Sequence, residues 1–422
     1  MCHKLLKQYL LLLCILATFQ VTAQTTTAID TKSNRENAPY SRFGIGEFRS
    51  GTNPLLRGMG SISAAYSSPF AVNTQNPASY GSLLLTTYEG ALEGSSRTIV
   101  SGSDKYKTGM ATINSMNIGI PVARSAAIAF GFRPMTHIYF NLQDTSAIAG
   151  YGNSIRTYFG DGSLNYAFFG AAYRYKGLSV GANFGYLFGT TVYATRLEGI
   201  DNTINVSDAQ FARIIKTGGI YWQGGLQYAT KLNNNLWIRS GATLTLSQTL
   251  KSNTDNYWVS YNVSGGDTSY SNLGQKANLT LPMMYSAGVQ LADSNKWLVG
   301  IDFSAADWSN YSSEGRTDSV ANMSYKLGIG GQFTPDATSV HKYFNRVTYR
   351  AGFYYGKDYI DVRNTPVNFY AVTLGTSLPF NRGANRVNMA IEVGKRGTET
   401  NGLFMENFVK FSAGITLNDK WF

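Results

Sequence analysis

The feature that most restricts this chain is a period of two that recurs over most of its length. Between Leu178 and Phe188, the residues Leu178, Val180, Ala182, Phe184, Tyr186 and Phe188 fall on one side and Ser179, Gly181, Asn183 and Gly185 on the other. Successive side chains of a strand point to opposite faces, so this is a strand with one apolar and one polar face. Leu236 to Leu246 repeats the pattern, with Ile238, Ala242 and Leu244 against Arg239, Gly241, Thr243 and Thr245. Near the C-terminus Val409, Phe411, Ala413, Ile415 and Leu417 alternate with Lys410, Ser412, Gly414 and Thr416. About fourteen such segments can be drawn between turn-forming clusters. They lie near 82–94, 112–121, 125–140, 157–175, 178–194, 214–230, 235–250, 277–292, 296–311, 321–334, 345–358, 367–380, 385–396 and 405–418.

A soluble sandwich alternates too, so the connections decide. Tight ones fall at Ala123-Arg124, Lys176-Gly177, 232–235, 293–296 and 381–385, each after an even-numbered segment, and the longer ones follow odd-numbered segments. Short turns at one end and longer loops at the other are the habit of outer-membrane barrels. The composition agrees: 44 Gly, 28 Tyr and 23 Phe accompany only 14% charged residues. No apolar run after residue 24 is long enough for a membrane helix. The expectation is an all-β fold, a transmembrane antiparallel up-and-down β-barrel of about fourteen strands, in the outer membrane of a Gram-negative bacterium. The even count puts both termini at the short-turn, periplasmic end, and makes Lys251 to Lys276 the longest outside loop. Trp237 and Trp297 follow two short turns and Trp421 sits at the matching end of the last segment, which reads as an aromatic girdle. The terminal Phe422 is out of phase with Val409, Phe411 and Ile415.

At the start, Lys4 and Lys7 precede the apolar run Leu10 to Phe19 and the small-residue site Val21-Thr22-Ala23. Such a run is too short to span a bilayer, so residues 1–23 read as a cleaved signal peptide and Gln24 as the mature start. Leu13 is too bulky for a lipoprotein site, and both cysteines, Cys2 and Cys14, leave with the signal. The formal charge of +11 is scattered rather than gathered into a patch, which excludes a nucleic-acid partner. His137 and His341 alone remain after the signal, with no metal-ligand spacing, nucleophile elbow or phosphate loop. No enzyme activity, cofactor or metal is expected.

Residues 24–81 do not read as membrane strands and are taken as a hatch-like segment, with the barrel proper at 82–422. The run Arg57-Gly58-Met59-Gly60-Ser61-Ile62-Ser63-Ala64-Ala65, followed by Ala71 and Asn76-Pro77-Ala78-Ser79, resembles the start of FadL-type outer-membrane transporters. That resemblance implies a hatch lodged inside the barrel. Gly58 and Gly60 suit close approach to a barrel wall, Pro77 fixes a turn and Asn76 ties it. PorV-like barrels share the same look and serve type IX secretion.

Pro134 sits inside the third segment and cannot donate a ladder hydrogen bond. By the resemblance it marks a lateral gate for a greasy ligand; alternatively, the lipid-spanning part ends there. The alternation turns Arg239, Asp302, Lys326, Arg350, Glu392 and Lys410 inward, to pair with one another or with the hatch. Three functions are compatible with these features: passive uptake of hydrophobic small molecules; a non-transporting accessory barrel bound to secretion or barrel-assembly machinery; and a porin for small polar solutes. Against the first, the loop residues at 251–276 and the inward positions are polar rather than greasy.

Overall fold

The computed structural model describes residues 37–49, 51–148, 152–200, 208–262, 265–293, 296–380 and 384–420. The signal peptide, Gln24, Trp421 and Phe422 lie outside the described residues. Fourteen antiparallel strands close into one barrel. They are β1 (Thr86–Ser101), β2 (Asp104–Ala123), β3 (Ala126–Ile148), β4 (Gly152–Tyr175), β5 (Leu178–Gly199) and β6 (Asp208–Lys231). There follow β7 (Leu236–Thr245, resuming as Gln248–Asn262), β8 (Gly265–Leu281, resuming as Met283–Asp293), β9 (Trp297–Asp307) and β10 (Met323–Phe333). The last four are β11 (Thr348–Val362), β12 (Thr365–Phe380), β13 (Asn385–Gly397) and β14 (Met405–Asp419). Closure is made by β14 on β1, from Met405 opposite Val100 to Asp419 opposite Thr86.

The alternating rows explain why the chain closes in a membrane. Along β5 the apolar row is the exposed one, Val180 at 53% and Phe184 at 57%, while Ser179 and Asn183 are buried at 4% and 1%. A water-soluble sandwich would show the reverse. Exposed apolar rows cover 178–188 of β5, 370–380 of β12 and 409–417 of β14, the length of about 9 to 11 residues that a tilted strand needs to cross hydrocarbon. Cysteines placed singly from Leu178 to Phe188 should therefore alternate. The even positions will be quenched by a lipid-soluble quencher and the odd ones will not.

β3 to β6 run 22 to 24 residues and continue well past that apolar band. The connections after odd-numbered strands are thus not generally long: Gly102-Ser103 and Arg363-Asn364 are two-residue turns. Lys251 to Lys276 is not a loop but the two arms of a hairpin, with Leu279 opposite Leu250 and Tyr270 opposite Trp258. The long connection 334–347 instead lies at the short-turn end. The apolar rhythm stops at the edge of the lipid, whereas backbone pairing carries on in Ser, Thr and Asn on both faces. A pattern of hydrophobicity therefore cuts such strands short.

Trp297 shares the outward row of Val299, Ile301 and Phe303, but Trp237 lies opposite the buried Ala292 in the inward row of Arg239 and Gly241. Of these two tryptophans only Trp297 is placed for a lipid girdle; the exposed Tyr173, Tyr175 and Tyr228 also ring that end.

Residues 37–83 lie inside the barrel. Asn37 Nδ2 donates to the Asn141 carbonyl (2.8 Å), far from the short turns, and Ser82 Oγ accepts from Arg174 Nη1 (3.5 Å) beside the Lys176-Gly177 turn. The described part of the segment therefore starts at the end opposite the one expected. Strand parity fixes where β1 begins, but a wide lumen lets the preceding chain double back. Three apolar clusters hold the segment, one of them Val72, Tyr80 and Leu83 against Ala127, Ala129 and Ala172. Leu55, Leu56, Met59, Ile62 and Tyr66 pack with Ala292 and Leu298. Farther from the short turns, Tyr40 and Ile45 join Tyr166, Leu187, Leu250, Trp308, Tyr311 and Tyr359.

Candidate functional site

The centre of the lumen is built on one helical turn, Pro54–Arg57, which Asn53 caps by accepting from the Leu56 amide (3.1 Å). The turn aims the buried Arg57 at the two strands that flank β14: its guanidinium lies 2.5 Å from Glu93 on β1 and 2.7 Å from Glu392 on β13. It also donates to Asn114 Oδ1 and to the Thr52 carbonyl, both at 3.1 Å. The Tyr354 hydroxyl donates to the second Glu392 oxygen (2.8 Å). A second set continues the network outward. Arg97 pairs with Glu47 (2.7 Å) and Glu406 (3.0 Å), Arg396 with Asp358 (2.8 Å), and Lys410 with Glu47 (3.5 Å). Burial alone would push the Glu47 carboxyl up, but Arg97, Lys410 and Arg396 outweigh it and hold the group well below the usual carboxylate range. Its stabilising contribution is present above that range and is lost as pH falls through the depressed value.

The residues after Arg57 follow the wall at backbone contact. A Cβ on Gly58 would lie 2.8 Å from Gly375 Cα. Gly60, at φ +65°, donates its amide to Thr373 Oγ1 (2.9 Å), and Met59 is fully buried. Asn76 starts the 3-10 turn Pro77–Ser82 by accepting from the Ala78 amide, and Nδ2 donates to the Ala64 carbonyl (2.6 Å) and the Leu226 carbonyl of β6 (3.2 Å). Pro77 sits against Gly181 and Gly225 of β5 and β6, and Ala78 is fully buried. Asn76→Ala leaves these buried groups without partners. It should cost about 1–3 kcal/mol, read as faster amide hydrogen exchange across 64–80 with the strands unchanged.

The inward charges divide between the segment and the wall. Asp302 accepts from the amides of Ser63 and Ala64, the latter at 2.6 Å, and Arg239 donates to the Ser67 carbonyl (3.3 Å). Lys326 lies over the Tyr354 ring at 5.6 Å, and Arg350 donates to Gln332 (3.2 Å) and Ser377 (2.5 Å). Reading the sequence singled out Arg57, Glu392 and Lys410 but missed Glu47, Glu93, Arg97, Asp358, Arg396 and Glu406. Of these, Glu93 keeps the inward phase of Ala91, so the alternation of the first segment could have found it, whereas Arg97 falls in the continuation of β1 past the apolar rhythm.

Pro134 lies opposite Asn165 of β4, at a bulge that ends at Thr136. Beside it the barrel wall parts. Pairing of β2 with β3 ends at Met116 opposite Phe132, although β2 runs on to Asp104 and β3 to Ile148. The N-terminal segment covers the β3 side of this gap: Glu47 and Phe48 pair with His137 and Thr136, Arg49 N donates to the Met135 carbonyl, and Ala38 N to the Tyr139 carbonyl.

Among the described residues the lumen keeps at least two cavities. The first, about 360 Å³, is walled by the ion-pair network with Asp302 and Lys326 and by the apolar Phe48, Met284, Trp308, Phe369 and Phe408. The second, about 380 Å³, lies nearer the long-strand end and mixes Ile138, Phe159 and Tyr193 with Arg42, Arg213 and Arg316.

The geometry has close counterparts. The toluene transporter TbuX of Ralstonia pickettii superposes with a TM-score of 0.57 at 16% identity, covering 87% of this chain and 98% of that one. A Pseudomonas aeruginosa FadL homologue gives 0.59 at 11%, with 88% and 100% covered. The Pseudomonas putida toluene transporter TodX gives 0.54 at 15%, with 90% and 100% covered. These likenesses establish a FadL-type barrel fold. No curated protein matches the chain in sequence. The family model described as BamG matches residues 5–422, so this FadL-like outer-membrane barrel belongs to the BamG family.

Proposed function

We propose that this chain is a non-transporting accessory barrel of an outer-membrane barrel-assembly machine. The carrying observation is the ion-paired lumen, much of it occupied by the chain's own N-terminal segment. Residues 51–83 occupy it beside the short turns, Trp308 and Tyr311 close on Tyr359 beyond, and the cavity between them sets the paired Arg57, Glu93, Arg97, Glu392 and Glu406 among apolar and aromatic side chains. A hydrophobic solute lying against those charges would strip water from them and return no hydrogen bonds. The family's label carries the prefix used for barrel-assembly components, which favours that machine over a secretion apparatus. In this reading Arg57, Gly58, Met59, Gly60, Asn76, Pro77 and Ala78 hold a permanent plug, and Asp302, Arg239, Glu392 and Lys410 are its anchors. The signal peptide delivers the chain to the periplasm, the short-turn end faces that side, and the hairpin arms project outside.

Depletion tests this. The levels of other outer-membrane barrels should fall several-fold, with uptake of labelled toluene or fatty acid unchanged. Normal barrel levels with lost uptake would reverse the assignment. Uptake of hydrophobic molecules is the second reading, favoured by the wall gap at Pro134, by the partly apolar lining of both cavities, and by the transporter names of the structural neighbours. In that case Pro134 marks the gate and the segment 37–83 moves.

A further inference from the structure

We infer that the free edge of β2, from Lys105 to Ser115, takes up an extended strand from a partner outer-membrane protein; this rests on the accessory-barrel reading. Among the described residues the two sides of the wall gap are treated differently. The β3 edge is satisfied from Met135 to Asn141 by the barrel's own N-terminal segment, through Arg49, Glu47, Phe48, Ala38 and Asn37. Across the gap, Asp104 to Ser115 pairs with β1 alone, and no backbone partner among the described residues meets its other edge.

That edge is held rather than loose. Its inward side chains are fixed from behind: Thr108 Oγ1 accepts from the Asn37 amide (2.8 Å), Met110 Sδ from Arg49 (3.2 Å), and Asn114 donates to the Thr52 carbonyl (2.8 Å). A rigid strand with unpaired N–H and C=O groups is a template for another backbone. Its lower end sits at the level of the lipid-facing Ile113 and Met116, where hydrocarbon cannot satisfy peptide groups. Polypeptide therefore fits the edge better than lipid.

The outward row specifies what kind. From the membrane upward it reads Ile113, Ala111, Gly109, Lys107 and Lys105, all exposed. Opposite neighbours on one face of a sheet interact directly. The complementary strand carries apolar residues beside Ile113 and Ala111 and acidic residues beside the two lysines. That is the outward row of a second membrane barrel, at the point where its strand leaves the lipid.

The test places the photoreactive residue benzoylphenylalanine singly at Lys107, Gly109, Ala111 and Ile113 in the full-length protein and irradiates intact cells. Mass spectrometry then maps the joined peptides. The expected result is adducts to one strand of one outer-membrane protein, the contact point stepping two residues for each two-residue move, with Val372 on β12 giving lipid adducts only. K105E/K107E should lower the yield at Gly109 at least tenfold and K105R/K107R should preserve it. Adducts to lipid alone, to this chain's own residues before Asn37, or scattered without register would overturn the inference. Scattered adducts from a protein that still co-purifies with assembly partners would leave the accessory reading standing; absence of any such complex would remove both.

Discussion

Arg57→Met is expected to release the N-terminal segment while the barrel stays folded. Methionine keeps an unbranched apolar stem and removes the charge. Glu93 and Glu392 are then left buried within reach of each other, without the guanidinium that lies 2.5 and 2.7 Å from them. Removing one member of a buried ion pair costs about 3–5 kcal/mol, which corresponds to roughly 10²–10³ or more in the docking equilibrium. The strand ladder does not pass through Arg57, so heat-modifiable mobility on a gel should be retained. A cysteine at Ser63 should become reactive towards a membrane-impermeant maleimide, and planar bilayers should show openings that the parent lacks. Adding Glu93→Gln and Glu392→Gln removes the orphaned charges and should restore much of the protection. Unchanged labelling and conductance in Arg57→Met would show that the apolar cluster around Met59 holds the segment without the ion pairs.

Gly60→Val should be nearly as severe, for a different reason. Gly60 sits at φ +65°, and its Cβ would stand 2.6 Å from the Ile329 carbonyl and 2.8 Å from that of Phe353. The left-handed conformation costs about 1–2 kcal/mol for a residue with a Cβ. The clash adds to this, because those carbonyls belong to the paired β10 and β11 and cannot give way without breaking their ladder. Gly102→Ala is the internal control: it has φ +59° but nothing within 4 Å of its Cβ, so only the conformational part applies. Hydrogen exchange of 51–83 should accelerate by orders of magnitude in Gly60→Val and stay at the parent rate in Gly102→Ala. Equal behaviour of the two would mean that contact with the wall does not fix the segment.

The barrel was legible because lipid acts on sequence directly. A strand such as Leu178 to Phe188 must show hydrocarbon one face and the lumen the other, and the period of two follows. Once the chain leaves the lipid that pressure ends, so the paired arms 248–262 and 265–281 read as a loop. Local irregularities escape in the same way, since the bulge opposite Ala91/Leu92 inserts Asn114 and resets the phase of β2, whose outward row passes from Ile113 to Met116. Trp237 was misassigned through its nearness to a turn, although the phase of Ile238 and Leu244 already turned it inward. The segment's motif was visible as glycines and an Asn-Pro pair, which require close backbone approach wherever they occur. The network it enters was not. Arg57 meets Glu392 across 335 residues of sequence, and such a meeting depends on strand order and register, which no local pattern encodes. The gap beside Pro134 was legible only in part: a proline announces lost pairing, but not that Glu47 and Phe48 supply it.

The most direct measurement is gentle purification of the protein from outer membranes, with mass spectrometry of both the accompanying proteins and the bound small molecules. A plugged accessory barrel predicts stoichiometric assembly components and no hydrophobic molecule retained in the lumen. A single hydrophobic ligand per barrel, with no protein partner, would contradict the account and make the gap at Pro134 its exit.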